Sequence, residues 1–578
     1  MSSSRIEQTE QLTHLLTADR ELVPDCLDHW AATAPEAVFF YYGETGAAYT
    51  YREFGRMTDA VAGNLAAIGI GKGDKVGVFT TNSLLGALVM FGAWKAGAIY
   101  APINFSLTGR LLAYQMNDTQ ASVLFTDAGL LPAVNAVVDD LDHPPMVVLY
   151  PPAPGADPPP ELIGRLSKLA WESFTTAAAR PEVQIAFDDP ANIFYTSGTT
   201  GPAKGVVQPH RWMAQYTYPL RQPLSTDDVI YNDLPMYHVG GAIMNVVRAA
   251  WAGCEVAVWD RFSPADFWSR IAERGATVAI LLDVMIPWLM KAPEHSGDRA
   301  NTLRNVHMQP LPLHHQQVAQ RFGIDLVTAG FGQTESGLPL SVFIEEVADG
   351  EGTSAEFYRG LSREKIAERI AALGAPRVSG SGVARKGVMG TATPFLEIAV
   401  LDERDQPCAV DQPGQLAVRP KLPSVILSEY LGKPEATVAA CRNLWFHTGD
   451  AAVLRSDGMY DFIDRLGDRI RVRGENLSSF QVEDLLNQHP KVQMSAAFPI
   501  PASDGDEDEV VAFVVTVEGE DVSEQDLHDH ARETMPPFMR PKHLRLVPDI
   551  PRTPTNKVEK YKLRARILHE LAQEDVER

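Results

Sequence analysis

Cysteine is scarce in this chain, with four among 578 residues, at 26, 254, 408 and 441. No two form a CxxC pair and no His/Cys cluster has zinc spacing, which excludes a thiolate metal site of that kind. So few thiols also exclude a disulfide-stapled scaffold and point to a reducing compartment, the cytoplasm. Positive charge is short as well. Lys and Arg total 51 against 74 Asp and Glu, a net charge of −23, so no nucleic-acid partner is expected. The opening residues, MSSSRIEQTE, lack the apolar core of a secretory leader. Long apolar runs are missing too. The best span candidate, 85–103, is broken by Lys95, Gly86, Gly92 and Gly97 and reads as a buried helix followed by a strand, so no integral membrane contact is expected.

What is present suits a large globular protein. Hydrophobic residues make up 45% and charged residues 22%, and the length calls for two to four domains. Helix and strand signals alternate from residue 59 onward. They predict helices at 59–71 and 82–95 and strands at 75–80, 97–102 and 121–126, an α/β layer pattern. The proline-rich 151–160 reads as an exposed loop. Strands are expected again near 193–195, 230, 253–259, 277–282, 325–329 and 397–401. Residues 361–374 have helical periodicity with a closing glycine, within an excursion over 341–386 of no assigned role. The texture changes after Asp464. The expected organisation is a large N-terminal α/β domain of layered sheets and helices, 1–464, followed by a small mobile α+β domain, 465–578.

The strongest chemical signal is Tyr195-Thr-Ser-Gly-Thr-Thr-Gly-Pro-Ala-Lys204-Gly-Val206. Glycines let backbone N–H groups turn inward, hydroxyls donate to phosphate oxygens, and lysine supplies a point charge. That is a phosphate-binding composition. It is not a Walker A loop, which needs Gly before and Ser/Thr after the lysine; here Ala203 and Gly205 flank it.

This loop resembles the signature loop of the adenylate-forming superfamily, which includes acyl-CoA synthetases. Further segments resemble that family's motifs in the same order. They are Leu234-Pro-Met-Tyr-His238-Val-Gly-Gly241, Phe331-Gly-Gln-Thr334-Glu335, Thr448-Gly-Asp450, the crossover from Asp464-Arg465 to Glu483, and Pro551-Arg-Thr-Pro-Thr-Asn-Lys557. The crossover stretch Arg473–Glu483 looks like that of crotonobetaine/carnitine-CoA ligases and nearby fatty acyl-CoA ligases.

The resemblance implies a role for each piece. Thr196, Ser197, Gly198, Thr199, Thr200, Gly201 and Lys204 would hold the ATP phosphates. Thr334 would contact the α-phosphate, and Glu335 would ligate Mg²⁺, a hard cation suited to oxygen donors. Phe331, Gly332 and Gln333 would border adenine, with Phe331 replacing a frequent tyrosine. Asp450 and Arg465 would take ribose and phosphate. Lys557 would reach the reacting groups during adenylation. Gly467 matches the hinge, and Arg471 and Gly474 lie near the expected CoA entry. His238 would guard the thiol tunnel or serve as a structural histidine. Tyr237, Gly240, Gly241, Asn245 and Gly332 would line the acyl pocket, with Gly332 leaving room for a longer or bulkier acid. Asp233, Arg248 and Asp283 carry charge nearby, but the sequence does not orient them.

The implied activity is ATP-dependent formation of an acyl-AMP from a medium-to-long or bulky carboxylic acid. Transfer to coenzyme A would follow, with AMP and pyrophosphate released, a reaction of fatty acid metabolism. Transfer to a separate carrier protein and a noncatalytic nucleotide-binding role stay open as alternatives, as does a homodimer.

Overall fold

A computed structural model of the chain describes residues 5–577, apart from 19, 153–154, 156–157, 159, 197–202, 283–284, 348–350, 384, 466–469, 473–474, 478, 503–507, 536, 538 and 553–557. The backbone divides into two units. One comprises Met1–Ala399, Ala417–Phe446 and Asp457–Asp461, and the other Val400–Leu416, His447–Ser456 and Phe462–Arg578.

The first unit holds two large sheets. One runs in the order Glu429–Tyr430, Lys204–Pro209, Pro190–Thr196, Ile99–Pro102, Lys75–Phe79, Val123–Asp127, Met146–Tyr150 and Ser167–Ala170. From Pro190–Thr196 onward its neighbours are parallel, while Lys204–Pro209 returns antiparallel to Pro190–Thr196. The second sheet contains, in spatial order, Val38–Tyr42, Glu255–Val258, Val229–Asn232, Val278–Leu282, Asn305–Gln309 and Leu326–Gln333, all parallel. Gly337–Glu345 then folds back antiparallel on Leu326–Gln333.

A single core cluster draws side chains from both sheets and from the helices Tyr51–Ala67, Ser83–Lys95 and His210–Arg221. Ser83–Lys95 is buried on every side, and Asn82 caps its start by accepting from the Leu85 N–H. Its one charge, Lys95, is neutralised by Asp59 at 2.7 Å and Asp28 at 3.1 Å. Residues 85–103 are thus a buried helix and the strand Ile99–Pro102, and no helix among the described residues is long and apolar enough to cross a membrane. Tyr51–Ala67 begins eight residues before the apolar periodicity does. A capping box sets that start, with Thr50 accepting from the Glu53 N–H and Glu53 accepting from the Thr50 N–H.

The excursion contains the helix Arg363–Leu373, capped by Ser362 and ended by Gly374 at φ +71°. Ile366 and Ile370 pack on Leu326 and Phe343. Arg363 pairs with Asp325, and the buried Arg304–Asp228 ion pair (2.7 Å) also donates to the Arg359 carbonyl. Arg304 and Asp325 immediately precede their strands, so the excursion braces the ends opposite Gln309 and Gln333.

In the second unit a three-stranded sheet separates two apolar layers. Val492–Pro501 pairs antiparallel with Asp508–Thr516, which pairs parallel with His543–Leu546. Val510, Ala512 and Val514 face Val482, Leu486, Leu527 and Ala531 of the helices Ser479–Asn487 and Glu524–Thr534. Val511, Phe513 and Val515 face Leu563 and Ile567 of the helix Lys560–Glu577. This period-two split makes the second unit a small α+β one, while the first is a large α/β one.

Candidate active site

The phosphate-type loop joins two antiparallel strands of the first sheet, one of them next to the short edge strand Glu429–Tyr430. Thr196 ends Pro190–Thr196 and Lys204 opens Lys204–Pro209. No helix follows the loop directly, so a helix macrodipole of the Walker kind is not available there. Glycine at 205 is required by packing, since a Cβ would lie 2.9 Å from Ile193 Cγ2 and 3.1 Å from Tyr195 Cζ. The loop's flanks are pinned by neighbours. Tyr114 OH donates to the Ala203 carbonyl at 2.8 Å, and Tyr195 OH donates to Asp118 Oδ2 at 2.8 Å. Lys433 holds the other oxygen of Asp118. Ser197, Gly198, Thr199, Thr200 and Gly201 lie outside the described residues.

Tyr430, which lies outside the sequence motifs, links the loop lysine to Glu335. Lys204 Nζ lies 4.5 Å from the centre of the Tyr430 ring, and the Tyr430 hydroxyl donates to Glu335 Oε1 at 3.1 Å. Burial first, and then the Glu335 charge and hydrogen bond, push the Tyr430 phenol up, so it stays a protonated donor. Glu335 is 6% exposed. Its backbone is fixed at the strand end, where its carbonyl accepts from the Leu427 N–H (2.7 Å) and Trp212 Nε1 (3.3 Å). The Thr334 carbonyl accepts from Gln208 Nε2 at 2.7 Å. Gln208 and Lys204 share one strand, so the same strand carries the cation and anchors the Thr334–Glu335 turn.

Among the described residues no three His, Cys, Asp or Glu side chains gather as a metal cage. Mg²⁺ suits one carboxylate supplemented by substrate phosphates, and the buried Glu335 carboxylate fits that pattern. Phe331 is buried and Gln333 half-buried on the strand leading to Glu335. Gly332 has room, for a Cβ there would meet nothing nearer than Gln309 Nε2 at 3.5 Å.

The segment 234–241 turns tightly into a π-helical turn, Gly240–Val247. His238 Nδ1 accepts from the Gly240 N–H at 3.1 Å, which places the neutral ring's proton on Nε2. Gly241 is glycine because a Cβ would lie 2.4 Å from the Leu234 carbonyl oxygen, so backbone contact accounts for this position, where the sequence suggested pocket space. Tyr237 packs edge-on against Phe105, and its buried hydroxyl has no hydrogen-bond partner. The Asn245 amide donates to Asn232 Oδ1 at 2.8 Å and its oxygen accepts from Arg248. Burial raises Asp233 to about 7; Asp283 lies outside the described residues.

In the second unit, Gly449 at φ +79° turns the chain before the buried Asp450. The Asp450 N–H donates to Thr448 Oγ1, which in turn donates to the Leu416 carbonyl. Arg465 ends the strand Tyr460–Arg465, and Arg471 lies in Ile470–Val472; their side chains are not among those described. Asp464 accepts from the Ser479 N–H at 2.7 Å, which tethers the start of Ser479–Asn487. Lys560 Nζ lies 2.6 Å from Ser479 Oγ and 2.9 Å from Glu483 Oε1. Gly467, Gly474 and Lys557 lie outside the described residues. The bridge between Arg552 and Val558 pairs the flanks of the last motif.

The family model for AMP-binding enzyme matches residues 27–427, and that for the AMP-binding enzyme C-terminal domain matches 481–557. The chain belongs to the AMP-binding enzyme family. A crotonobetaine/carnitine–CoA ligase of Salmonella agona (strain SL483) is 28% identical over 526 residues, 89% of this chain and 93% of its own. That of Escherichia coli O8 (strain IAI1) is 28% identical over 517 residues, 88% and 92% of the two chains. Among solved structures, ATP-bound MatB from Rhodopseudomonas palustris superposes with a TM-score of 0.75 at 22% identity, covering 92% of this chain and 96% of that one. An anthranilate CoA ligase, AuaEII, bound to anthranoyl-AMP gives 0.76 at 20% identity, with 94% and 97% covered. This AMP-binding enzyme therefore has the adenylate-forming fold, a large α/β part and a smaller C-terminal α+β part.

Proposed function

We propose that this AMP-binding enzyme is an ATP-dependent acyl-CoA ligase that activates a medium-to-long or bulky carboxylic acid and passes it to coenzyme A. The observation that carries the reading is the Lys204–Tyr430–Glu335 assembly at the mouth of the Gly/Thr loop. It sets on one aromatic residue a cation suited to phosphate oxygens and a buried carboxylate that would hold Mg²⁺. The names of the similar ligases support the direction of the chemistry.

In the first half-reaction, a carboxylate oxygen of the acid attacks the α-phosphorus of ATP and pyrophosphate leaves. Thr196, Ser197, Thr199, Thr200 and Lys204 hold the β- and γ-phosphates, with Gly198 and Gly201 freeing backbone donors. Thr334 contacts the α-phosphate. Mg²⁺ bound through Glu335 would neutralise phosphate charge. Phe331, Gly332 and Gln333 border the adenine, and Asp450 and Arg465 hold the ribose. Lys557 brings a cation to the oxygens whose charge changes.

In the second half-reaction, the CoA sulfur attacks the acyl carbonyl. The carbon–oxygen bond to AMP breaks, and AMP departs with the oxygen the acid contributed. We assign 465–578 as a lid that turns about Gly467 between the two steps, bringing Arg471 and Gly474 to the thiol's entry. His238, Tyr237, Gly240 and Asn245 line the acyl side, and Gly241 lets the chain turn tightly against the Leu234 carbonyl behind them.

Mass spectrometry of reactions containing ATP, an acid panel, and either CoA or an acyl-carrier protein tests the reading. AMP, pyrophosphate and an acyl-CoA are expected. A thioester on the carrier alone would replace CoA with a carrier, and no acid-dependent pyrophosphate release would reject the activity.

A further inference from the structure

The second sheet changes character along one face. On Val229–Asn232 and Val278–Leu282 that face presents Ile230, Val278 and Ile280, all in the main core cluster with Trp212, Ala242 and Val246. On the next strand, Val306 and Met308 belong to the core of the opposite face. Alternation therefore turns Asn305, His307 and Gln309 to the first face. Thr328, paired in register with His307, lies 3.0 Å from its Nδ1. His307 Nε2 lies 3.1 Å from Gln309 Oε1, and Gln309 borders Gly332. A line of polar side chains thus leads inward from the strand end that carries Thr334 and Glu335.

Arg248 is near enough to this line for its charge to act on His307, and it directly follows the π-helical turn Gly240–Val247, a geometry that often marks functional sites. It is 1% exposed. Nη2 donates to Asn245 Oδ1 at 3.2 Å, and Nε has no hydrogen-bond partner. No described carboxylate pairs with it. Asp228, the acid whose field reaches it, is already paired with Arg304. Burial lowers the guanidinium to about 10, so it is cationic at neutral pH, and its field helps to depress His307. A buried cation held by one neutral hydrogen bond is costly, and removing that cost takes an anion.

We infer that Arg248 receives the far end of the acid, and that the preferred substrate carries a second carboxylate beyond the one that is activated. The inference rests on the acid-activating reading above. Gln309 and His307 extend the polar line by about 7 Å along the strand, so diacids of intermediate length, glutarate and adipate, are the probes. An apolar tail would leave the guanidinium buried and unpaired. A quaternary ammonium tail would face it with like charge.

The test measures acid-dependent pyrophosphate release with glutarate and adipate, chain-matched pentanoate and hexanoate, and 4-(trimethylammonio)butanoate. It uses the full chain and its Arg248→Met and Arg248→Lys variants. The native enzyme is expected to favour diacids over matched monoacids by at least about 100-fold in kcat/KM. Arg248→Met collapses that ratio towards unity and Arg248→Lys restores part of it. Release with the monoacids or the ammonium acid but not with the diacids leaves the ligase reading standing and overturns this inference. If none of these five acids elicits release, this inference is overturned, and the ligase reading falls with it only if the wider acid panel above also fails. If Arg248→Met does not fold, the native diacid-to-monoacid ratio alone decides.

Discussion

Tyr430 shows how a single side chain can organise charges that are remote in sequence. Its ring lies under Lys204 and its hydroxyl holds Glu335. Tyr430→Phe keeps the ring and removes the donor to a carboxylate. Acid-dependent pyrophosphate release should fall by about 10- to 100-fold, the worth of one hydrogen bond to a charged group. An unchanged rate would remove Tyr430 from the site. No local pattern announces this tyrosine, because its role exists only where two strands and a later segment meet. Arg248 is similar: the sequence shows a charge near the acyl motif, but only the fold shows that it is buried without a carboxylate. Buried histidines carry a pH signature. Burial lowers both His210 and His307 from 6.5 to about 4. Between those pH values the unfolded chain takes up protons that the folded chain does not, so stability is full above 6.5 and is lost as pH falls towards 4. His307→Gln should flatten that dependence in chemical denaturation; an unaltered slope would mean His307 does not contribute to it.

At the scale of elements, the legible ones are those with a local apolar run and a clear stop. Lys75–Phe79, Ser83–Lys95, Ile99–Pro102 and Val123–Asp127 fall within a few residues of expectation, as does Arg363–Leu373 with its closing glycine. His210–Arg221 is not legible, because it is buried all round, contains Pro219, and buries polar residues such as Gln215, whose Nε2 donates to the Leu338 carbonyl across the fold. The Gly/Thr loop is recognisable by composition, yet its return as an antiparallel strand depends on Gly205 allowing the two strands together. Gly205→Ala forces a methyl against Ile193 and Tyr195, and should lower the melting temperature and weaken ATP binding together. Loss of neither would show that the hairpin can absorb the methyl. In the smaller unit, Lys560 ties the helix Lys560–Glu577 to Ser479 and Glu483. It follows the Lys557 motif by three residues, so Lys560→Met should misplace that motif. It is expected to slow adenylation more than it lowers the melting temperature; a large stability loss with normal turnover would assign it a purely structural role.

For the whole molecule, the order of motifs along the chain conveyed the family, while the contacts that join them came from the fold. The acidic balance of −23 says little about anionic substrates, because the proposed binding rests on local cations such as Lys204 and Arg248. In the proposed reaction the acid is activated at the α-phosphate and its acyl group then passes to a thiol. An acid labelled with ¹⁸O in its carboxyl group tests it most directly. Attack at the α-phosphorus followed by thiol displacement leaves one labelled oxygen on AMP, read by mass spectrometry with ATP and CoA present. One ¹⁸O in each AMP, formed together with the acyl-CoA, is expected; unlabelled AMP, or label recovered in orthophosphate with ADP as the nucleotide product, would rule this reaction out.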